Sequence, residues 1–438
     1  MGKSNTEASN NVALLVAYHF PPQSGSSGLL RTLKYSRYLP DFGWQPVVLT
    51  AHPRAYESLD PQGEKSIRTG IPVYRAFALD TKKHLSVRGS YFDWMALPDR
   101  WAAWAIGAVP VGLWAIWKHR VRVIFSTFPI STSILIGLML HLLTRKPWVV
   151  DLRDSMTEDE YPKDLRTRRI RRWIERQAVL RSVRVIFTAA STRHMYLERY
   201  PELSADKCLL IPNGYDEEDF ASIDIQQPSP VPANRPLRLL HTGFIYPEER
   251  DPKPFFRALA RLKREGQISS SSLHIVFRAP GSEDLYARLM KELEIDDLIQ
   301  LQPHVPYLQS LQECATADGL LLFQAANCDH QIPAKAYEYL RLRKPIFALT
   351  SHSGDTAGLL NETGGATIVD LASEDDIYRG FPAFLNAVRE ATHSFSDLSR
   401  VQRYARRNQA EELAKCLTAT IADGPLSAAE KSAGYAGR

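Results

Sequence analysis

Gly319-Leu-Leu-Leu-Phe323, then Gln331-Ile-Pro-Ala-Lys-Ala-Tyr-Glu-Tyr-Leu340, then Pro345-Ile-Phe-Ala-Leu349 is the stretch on which the fold turns. Two short apolar runs without polar alternation suit strands buried on both faces. Between them, Ile332-Pro333 puts proline where a helix begins, a position whose amide has no intrahelical partner to lose. Strand, helix, strand is the unit of a parallel sheet covered by helices. Ligands of such sheets collect beyond the carboxyl ends of the strands. Here those ends are residues 324–333 and 350–356, the latter holding Ser353-Gly354-Asp355-Thr356.

The amides at the helix start are free to face an anion. Glu338 follows about one and a half turns later, near enough for one ligand to touch both. A phosphate fits the helix start, and a ribose diol fits Glu338. A plain surface helix has the same appearance, with Glu338 solvated and Lys335 as its i,i+3 partner. The flanking strands favour the ligand reading.

The rhythm extends outward. Asn11–Ala17, Gln45–Thr50, Pro72–Arg75, Val121–Ser126, Trp148–Leu152, Val183–Thr188 and Leu209–Pro212 read as parallel strands with helices between them. Ile223–Pro236 is rich in proline, and a domain boundary belongs there. Beyond it, Leu237–His241, Leu273–Phe277 and Ile299–Leu301 restart the pattern. The expectation is an α/β chain of two Rossmann-like, doubly wound parallel-sheet domains: an N-terminal one over 1–223, a linker over 224–236 and a C-terminal one over 237–397. Leu398, Val401, Ala405, Leu413 and Leu417 keep helical spacing, which predicts a C-terminal helix over 398–423 that can cross back to the N-terminal domain. Residues 424–438 read as a polar disordered tail.

Composition narrows the partners. The 438 residues, 44% hydrophobic and 24% charged, suffice for two cores and are ordinary for a folded soluble chain. The net charge of +5 is mild, but arginines crowd the segment from Arg166 to Arg181. That segment is either a solvated helix face or a site for an anionic partner such as a phospholipid surface or a lipid-linked phosphate. Nucleic acid is disfavoured, because no interleaved aromatics, basic recognition helix or zinc-finger pattern accompanies the arginines. Cys208, Cys314, Cys328 and Cys416 are widely spaced, which argues against a metal site and for a reducing cytoplasm. The polar N-terminus lacks the apolar core of a signal peptide. Trp101–Trp117, WAAWAIGAVPVGLWAIW, is uncharged but short of the about 20 residues a membrane span needs, and Pro110 interrupts it. A domain-core helix and a helix lying at the headgroup boundary both fit.

Three loops carry candidate chemistry. The one from His19 to Gly28 lacks the GxGxxG spacing, yet Gly25, Ser26, Ser27 and Gly28 at a helix start can bring amides to a phosphate or sugar hydroxyl, unless they form a plain turn. Asp151-Leu-Arg153-Asp154 ends a strand, where charges suit a crevice better than a dry core. Arg153 suits a phosphate and Asp154 an acceptor hydroxyl, or the charges pair with one another. In His241-Thr-Gly243-Phe-Ile-Tyr-Pro-Glu-Glu-Arg250-Asp-Pro-Lys253, the glycine permits close ligand approach. Arg250 and Lys253 suit charge building on a leaving diphosphate, or belong to a solvated loop.

Taken jointly, residues 18–50, DLRDSMTEDEYP (151–162), IPNGYDEEDF (211–220), HTGFIYPEERDP (241–252) and IPAKAYEYL (332–340) resemble the family 4 glycosyltransferases of the GT-B fold, particularly bacterial members that build cell-surface polysaccharides. The resemblance implies two domains facing across a cleft, with acceptor presentation by the first and nucleoside diphosphate sugar binding by the second. It also implies transfer with retention of configuration, no metal and no cofactor. The donor sugar nucleotide is then expected at Gly243, Arg250, His330, Ile332, Lys335, Glu338, Asp355 and Thr356. Transfer chemistry is expected at Arg250, Lys253, Asp154 and Arg153, and the acceptor at Gly25, Ser26, Ser27, Gly28 and Asp151. The family's second paired glutamate falls on Glu338 and the first on His330, while the basic residue that often follows the glycine is Phe244. Expected acceptors are glycans or lipid-linked sugars, at the inner face of a membrane. An epimerase or hydrolase of the same fold, or a non-catalytic binder of sugar nucleotides, are the alternatives.

Overall fold

A computed structural model describes residues 11–24, 28–86, 88, 90–225, 229–247 and 250–422. The chain divides into two compact units, Met1–Pro212 with Arg406–Arg438, and Asn213–Ala405. Gly25, Ser26, Ser27 and the 424–438 tail lie outside the described residues.

The first unit runs β1 (Asn11–Val16), α1 (Gly28–Tyr38), β2 (Trp44–Ala51), β3 (Val73–Ala76), the single turn α2 (Thr81–His84), α3 (Trp104–Lys118), β4 (Val123–Thr127) and α4 (Ser131–Thr144). It continues through β5 (Trp148–Leu152), α5 (Leu165–Arg181), β6 (Arg184–Phe187), α6 (Ala190–Arg199) and β7 (Cys208–Leu210). Its seven strands pair in parallel in the order β3-β2-β1-β4-β5-β6-β7. Winding reverses between β1 and β4, where crevices open in such sheets. One face of the sheet buries the apolar stripes of α3, α4, α5 and α6. The other takes Leu33 and Tyr35 of α1 together with Leu413 and Leu417 of α15 (Arg406–Ala422). The start of α5 is set by Asp164, whose carboxylate accepts from the amide of Thr167 at 2.7 Å, a cap of about 1 kcal/mol.

The second unit opens with the single turn α7 (Glu217–Phe220), then β8 (Leu237–Thr242), α8 (Lys253–Arg264), β9 (Leu273–Arg278), α9 (Glu283–Glu292), β10 (Ile299–Gln302) and α10 (Tyr307–Thr316). It closes with β11 (Gly319–Gln324), α11 (Ala334–Leu342), β12 (Ile346–Thr350), α12 (Asp355–Thr363), β13 (Ala366–Val369), α13 (Glu374–Arg389) and the single turn α14 (Leu398–Val401). The order is β10-β9-β8-β11-β12-β13, again all parallel. The winding reverses between β8 and β11. Phe255, Phe256, Leu259 and Leu262 recur on one stripe of α8 and are fully buried with Phe323 and Phe381, so this helix is held by its aromatic face.

Three expectations meet a different arrangement. Asn213–Ile223, placed by sequence with the first domain, packs in the second, because Tyr215 and Phe220 are buried against Leu320, Tyr337 and Tyr404. The proline-rich linker is not free chain throughout: Val231 is buried in the second core and its amide donates to the carbonyl of Arg389 at 2.8 Å. The C-terminal helix is interrupted at Ala405, which is extended and bridges Tyr215, so α14 stays with the second unit while α15 completes the first. For Trp101–Trp117, where two readings stood open, the tryptophans do not share a face. Trp104 is buried and Trp101 packs on Tyr18, with ring centroids 4.7 Å apart, whereas Trp114 and Trp117 point outward.

Candidate functional site

The carboxyl ends of β8 and β11 gather most of the second unit's candidate residues. Gly243 leaves β8 with φ of +88°, a left-handed conformation that favours glycine. A Cβ there would lie 3.3 Å from the ammonium nitrogen of Lys335, so the bare backbone is also what leaves room for the lysine. Lys335, in the first turn of α11, does not pair with Glu338. Its Nζ turns to the end of β8, donating to the carbonyl oxygen of Thr242 and, at 3.2 Å, to Nε2 of His241.

The tautomer of His241 follows from its other contact. The ring is fully buried, and its Nδ1–H donates to the carbonyl of Leu321 at 2.8 Å, leaving Nε2 as an acceptor for the lysine. Burial, and then the charge of Lys335, hold the imidazole well below its ordinary pKa of 6.5, so it stays neutral. Lys335 is itself brought down to about 7 by burial and then by the charge of Arg250, with Glu338 acting in the opposite sense. This ammonium is thus poised to gain from an arriving anion.

Arg250 reaches back over the end of β11. Its Nε donates to Oε1 of the buried Gln324 at 3.3 Å, its NH1 to the carbonyl of Phe244 at 3.1 Å, and its guanidinium lies 5.3 Å from the Tyr246 ring centre. Gln324 is fixed in turn by donating to the carbonyl of Cys328 at 3.0 Å. Lys253, by contrast, is turned to Asp251, 3.5 Å away at the surface. Glu338 is half-buried and accepts from the hydroxyl of Tyr307 at 2.8 Å, which sets the carboxylate.

The loop between β11 and α11 lies against the start of α12. The amide of Asp355 donates to the carbonyl of Asp329 at 2.9 Å, and the buried Thr356 hydroxyl donates to the carbonyl of Gln331 at 3.1 Å. Thr356, expected at the donor, therefore anchors the loop. Gly354 allows that approach, since a Cβ there would come within 2.7 Å of Oδ1 of Asp329. His330 and Ile332 are half-buried in the same loop, with Nε2 of His330 3.3 Å from the side-chain amide of Gln331.

In the first unit Asp151 departs from expectation. Rather than facing a crevice it is fully buried, accepting from Nε and NH2 of Arg31 at 3.0 and 2.8 Å and from Thr127 at 2.8 Å. Arg31 also donates to the carbonyls of Ile211 and Pro212. Arg153 is buried too, donating to the carbonyls of Phe128 and Gly28 at 2.6 and 2.9 Å. Burial holds its pKa below the ordinary 12.5, with half-buried Asp154 favouring its charge. His19, Gly28, Thr127 and Arg153 line a small pocket at the ends of β1, β4 and β5. Burial pushes His19 down to about 3, so its imidazole enters that pocket neutral.

Sequence reasoning passed over His241, Gln324, Tyr307, Arg31 and His19 as functional residues. His19 stood shortly after a strand and His241 at the carboxyl end of one, both inside quoted motifs, a signal available to be read; the other three are defined by contacts distant in sequence. Among the described residues no group of side chains has the makings of a metal site, and no helix is long and apolar enough to cross a membrane.

Residues 30–214 match the glycosyl transferase 4-like domain family. No curated protein matches the chain. Among solved structures it is similar to sucrose-phosphate synthase from Thermosynechococcus elongatus (13% identity, covering 97% of this chain and 100% of that one, TM-score 0.60). It is similar to WaaG, a glycosyltransferase involved in lipopolysaccharide biosynthesis (14%, 93% and 99%, TM-score 0.59). It is also similar to Alr3699/HepE from Anabaena, solved in complex with UDP-glucose (12%, 96% and 99%, TM-score 0.57).

Proposed function

We propose, from the match of residues 30–214 to the glycosyl transferase 4-like domain and from the GT-B fold, that the chain is a glycosyltransferase whose second unit holds a nucleoside diphosphate sugar and whose first holds an acceptor. The observation that carries this assignment is the convergence of Lys335 and Arg250 on the glycine turn after β8. Two cations and free helix amides suit a diphosphate. Glu338, set by Tyr307, suits the ribose hydroxyls. With Phe244 in place of a basic residue, Lys335 supplies the charge that this position would otherwise provide.

Arg250 is the residue proposed to act on the reaction itself. As the bond between sugar and diphosphate breaks, negative charge grows on the leaving oxygen, and a guanidinium already fixed by Gln324 stabilises it without reorganising. In the first unit, Arg153, His19 and Asp154 are the groups proposed to meet the acceptor, a glycan or lipid-linked sugar, and Asp151 holds the fold behind them. Transfer with retention, a cytoplasmic location and peripheral contact with the inner face of a membrane through Trp101–Trp117 complete the proposal.

A thermal-shift screen against sugar nucleotides finds the donor, and release of nucleoside diphosphate is then followed with and without an acceptor glycan. Release that requires the acceptor supports transfer. Release without it points to hydrolysis, and donor binding with no turnover to a silent binder; either result sinks the proposal.

A further inference from the structure

We propose that the layer α3–α4–α5 of the first unit is a docking face for a bilayer containing anionic phospholipid, and that all three helices, not α3 alone, make the contact. The inference rests on the reading above only for placing the protein at a membrane. Its geometry stands apart from the transfer site.

The three helices pack side by side on one face of the sheet, with α4 between the other two. A Cβ on Gly112 of α3 would come within 2.8 Å of Leu140 in α4, so these two helices approach closely. On α3 the exposed residues Ile106, Pro110, Trp114 and Trp117 recur at helical spacing along the stripe opposite the buried Ala108, Gly112 and Ala115. On α4 Met139, Leu142 and Leu143 are exposed together, and on α5 Trp173 is exposed. Ile106, Trp117, Leu143 and Trp173 expose 74%, 78%, 61% and 54% of their surface, which is much apolar area for one helical layer to leave in water.

Charge identifies the occupant. Arg166, Arg169 and Arg176 flank Trp173 on the outward stripe of α5. Helices joining parallel strands all run against the strand direction, so α3 and α4 end at the same edge of the layer. There Lys118 ends α3 and Arg120 follows it, and Arg145 and Lys146 follow α4. None of these four, nor Arg166 or Arg169, makes an ion pair among the described residues. Lys118 instead sits over the Trp114 ring at 4.4 Å, an ammonium and an indole presented together. Indoles at the headgroup level with free cations beside them suit a surface of anionic lipid, while a second copy of this face would bring like charges together.

The full chain is sedimented with vesicles of phosphatidylcholine alone and of phosphatidylcholine with about 30% phosphatidylglycerol, at low and at high salt. Binding is expected only to the anionic vesicles, to fall with salt, and to drop at least about tenfold in Arg166→Glu/Arg169→Glu and, separately, in Trp117→Ser/Trp173→Ser. All four positions are exposed, and an unchanged thermal midpoint with unchanged donor-induced thermal shift checks that each variant folds. Loss of binding in a Trp114→Ser/Trp117→Ser variant of α3 with full binding in the α5 variant Arg166→Glu/Arg169→Glu would overturn the three-helix face. Equal binding to neutral vesicles, absence of binding, or conversion of an oligomer to a monomer by Trp117→Ser/Trp173→Ser would overturn the anionic bilayer as occupant. None of these results bears on whether sugar transfer occurs, which the nucleotide-release measurement decides.

Discussion

Lys335→Met should abolish a proton uptake that accompanies donor binding. In the free protein Lys335 sits at about 7, lowered by burial and then by Arg250. A nucleoside diphosphate sugar has no group titrating near neutrality, so a diphosphate set beside Lys335 acts on the lysine by favouring its ammonium. At pH 8 a group of pKa about 7 is about nine-tenths neutral, so binding takes up about 0.9 proton, and at pH 6 only about 0.1. The same linkage weakens donor binding about tenfold per pH unit above 7, which is about 1.4 kcal/mol per unit. Calorimetric titrations at pH 8 in two buffers of different ionisation enthalpy measure the uptake directly. The sign for stability follows from the same shift. Lys335 is lower in the folded chain than its ordinary 10.5, so the cost of burying its charge is full below about 7 and is relieved as pH rises toward 10.5. The unliganded wild type should therefore gain stability relative to Lys335→Met across that window. Equal proton uptake in the variant, or none in the wild type at pH 8, would falsify the placing of the diphosphate at this lysine.

Other substitutions separate binding from chemistry and from folding. Glu338→Ala should raise the donor dissociation constant by about 10- to 100-fold, the loss expected for hydrogen bonds to a charged group, and unchanged affinity in equilibrium titration removes the ribose assignment. Arg250→Ala should lower kcat about 100-fold with a smaller change in donor affinity, as for loss of one donor to a developing charge. Steady-state kinetics that show only a raised KM make Arg250 a binding residue instead. Asp151→Ala leaves Arg31 buried and without its carboxylate, at a cost of about 3 kcal/mol; a change under about 1 kcal/mol in urea unfolding contradicts that account.

The strands and their parallel order were legible because burial on both faces leaves uninterrupted apolar runs, as in Asn11–Val16 and Gly319–Gln324. The turn at Gly243 was legible for a backbone reason, its φ of +88°. What escaped depends on residues far apart in the chain. Asp151 looked suited to a crevice because its partner Arg31 lies 120 positions away, and Thr356 looked like a ligand because its bond to the carbonyl of Gln331 forms only when two loops meet. Lys335 stood at i,i+3 from Glu338, and helical spacing alone favoured that pair. The buried acceptor at His241 and the carbonyl of Thr242 drew it away. The unbroken periodicity from Leu398 to Leu417 concealed the interruption at Ala405, since each half keeps an apolar stripe while serving a different core.

That interruption makes the first unit discontinuous in sequence, with Asn213–Ala405 inserted before its last helix. Ala410, Leu413, Ala414 and Leu417 of α15 are buried in the sheet face that also holds α1. During synthesis the inserted unit is complete and free to fold while the earlier one still has an open apolar face. The first sheet waits for α15, which follows the inserted unit, to leave the ribosome. A stop codon shortly after Ala405 would thus strike the half of the protein made first, and a fragment ending at Pro212 would expose the surface that α15 closes.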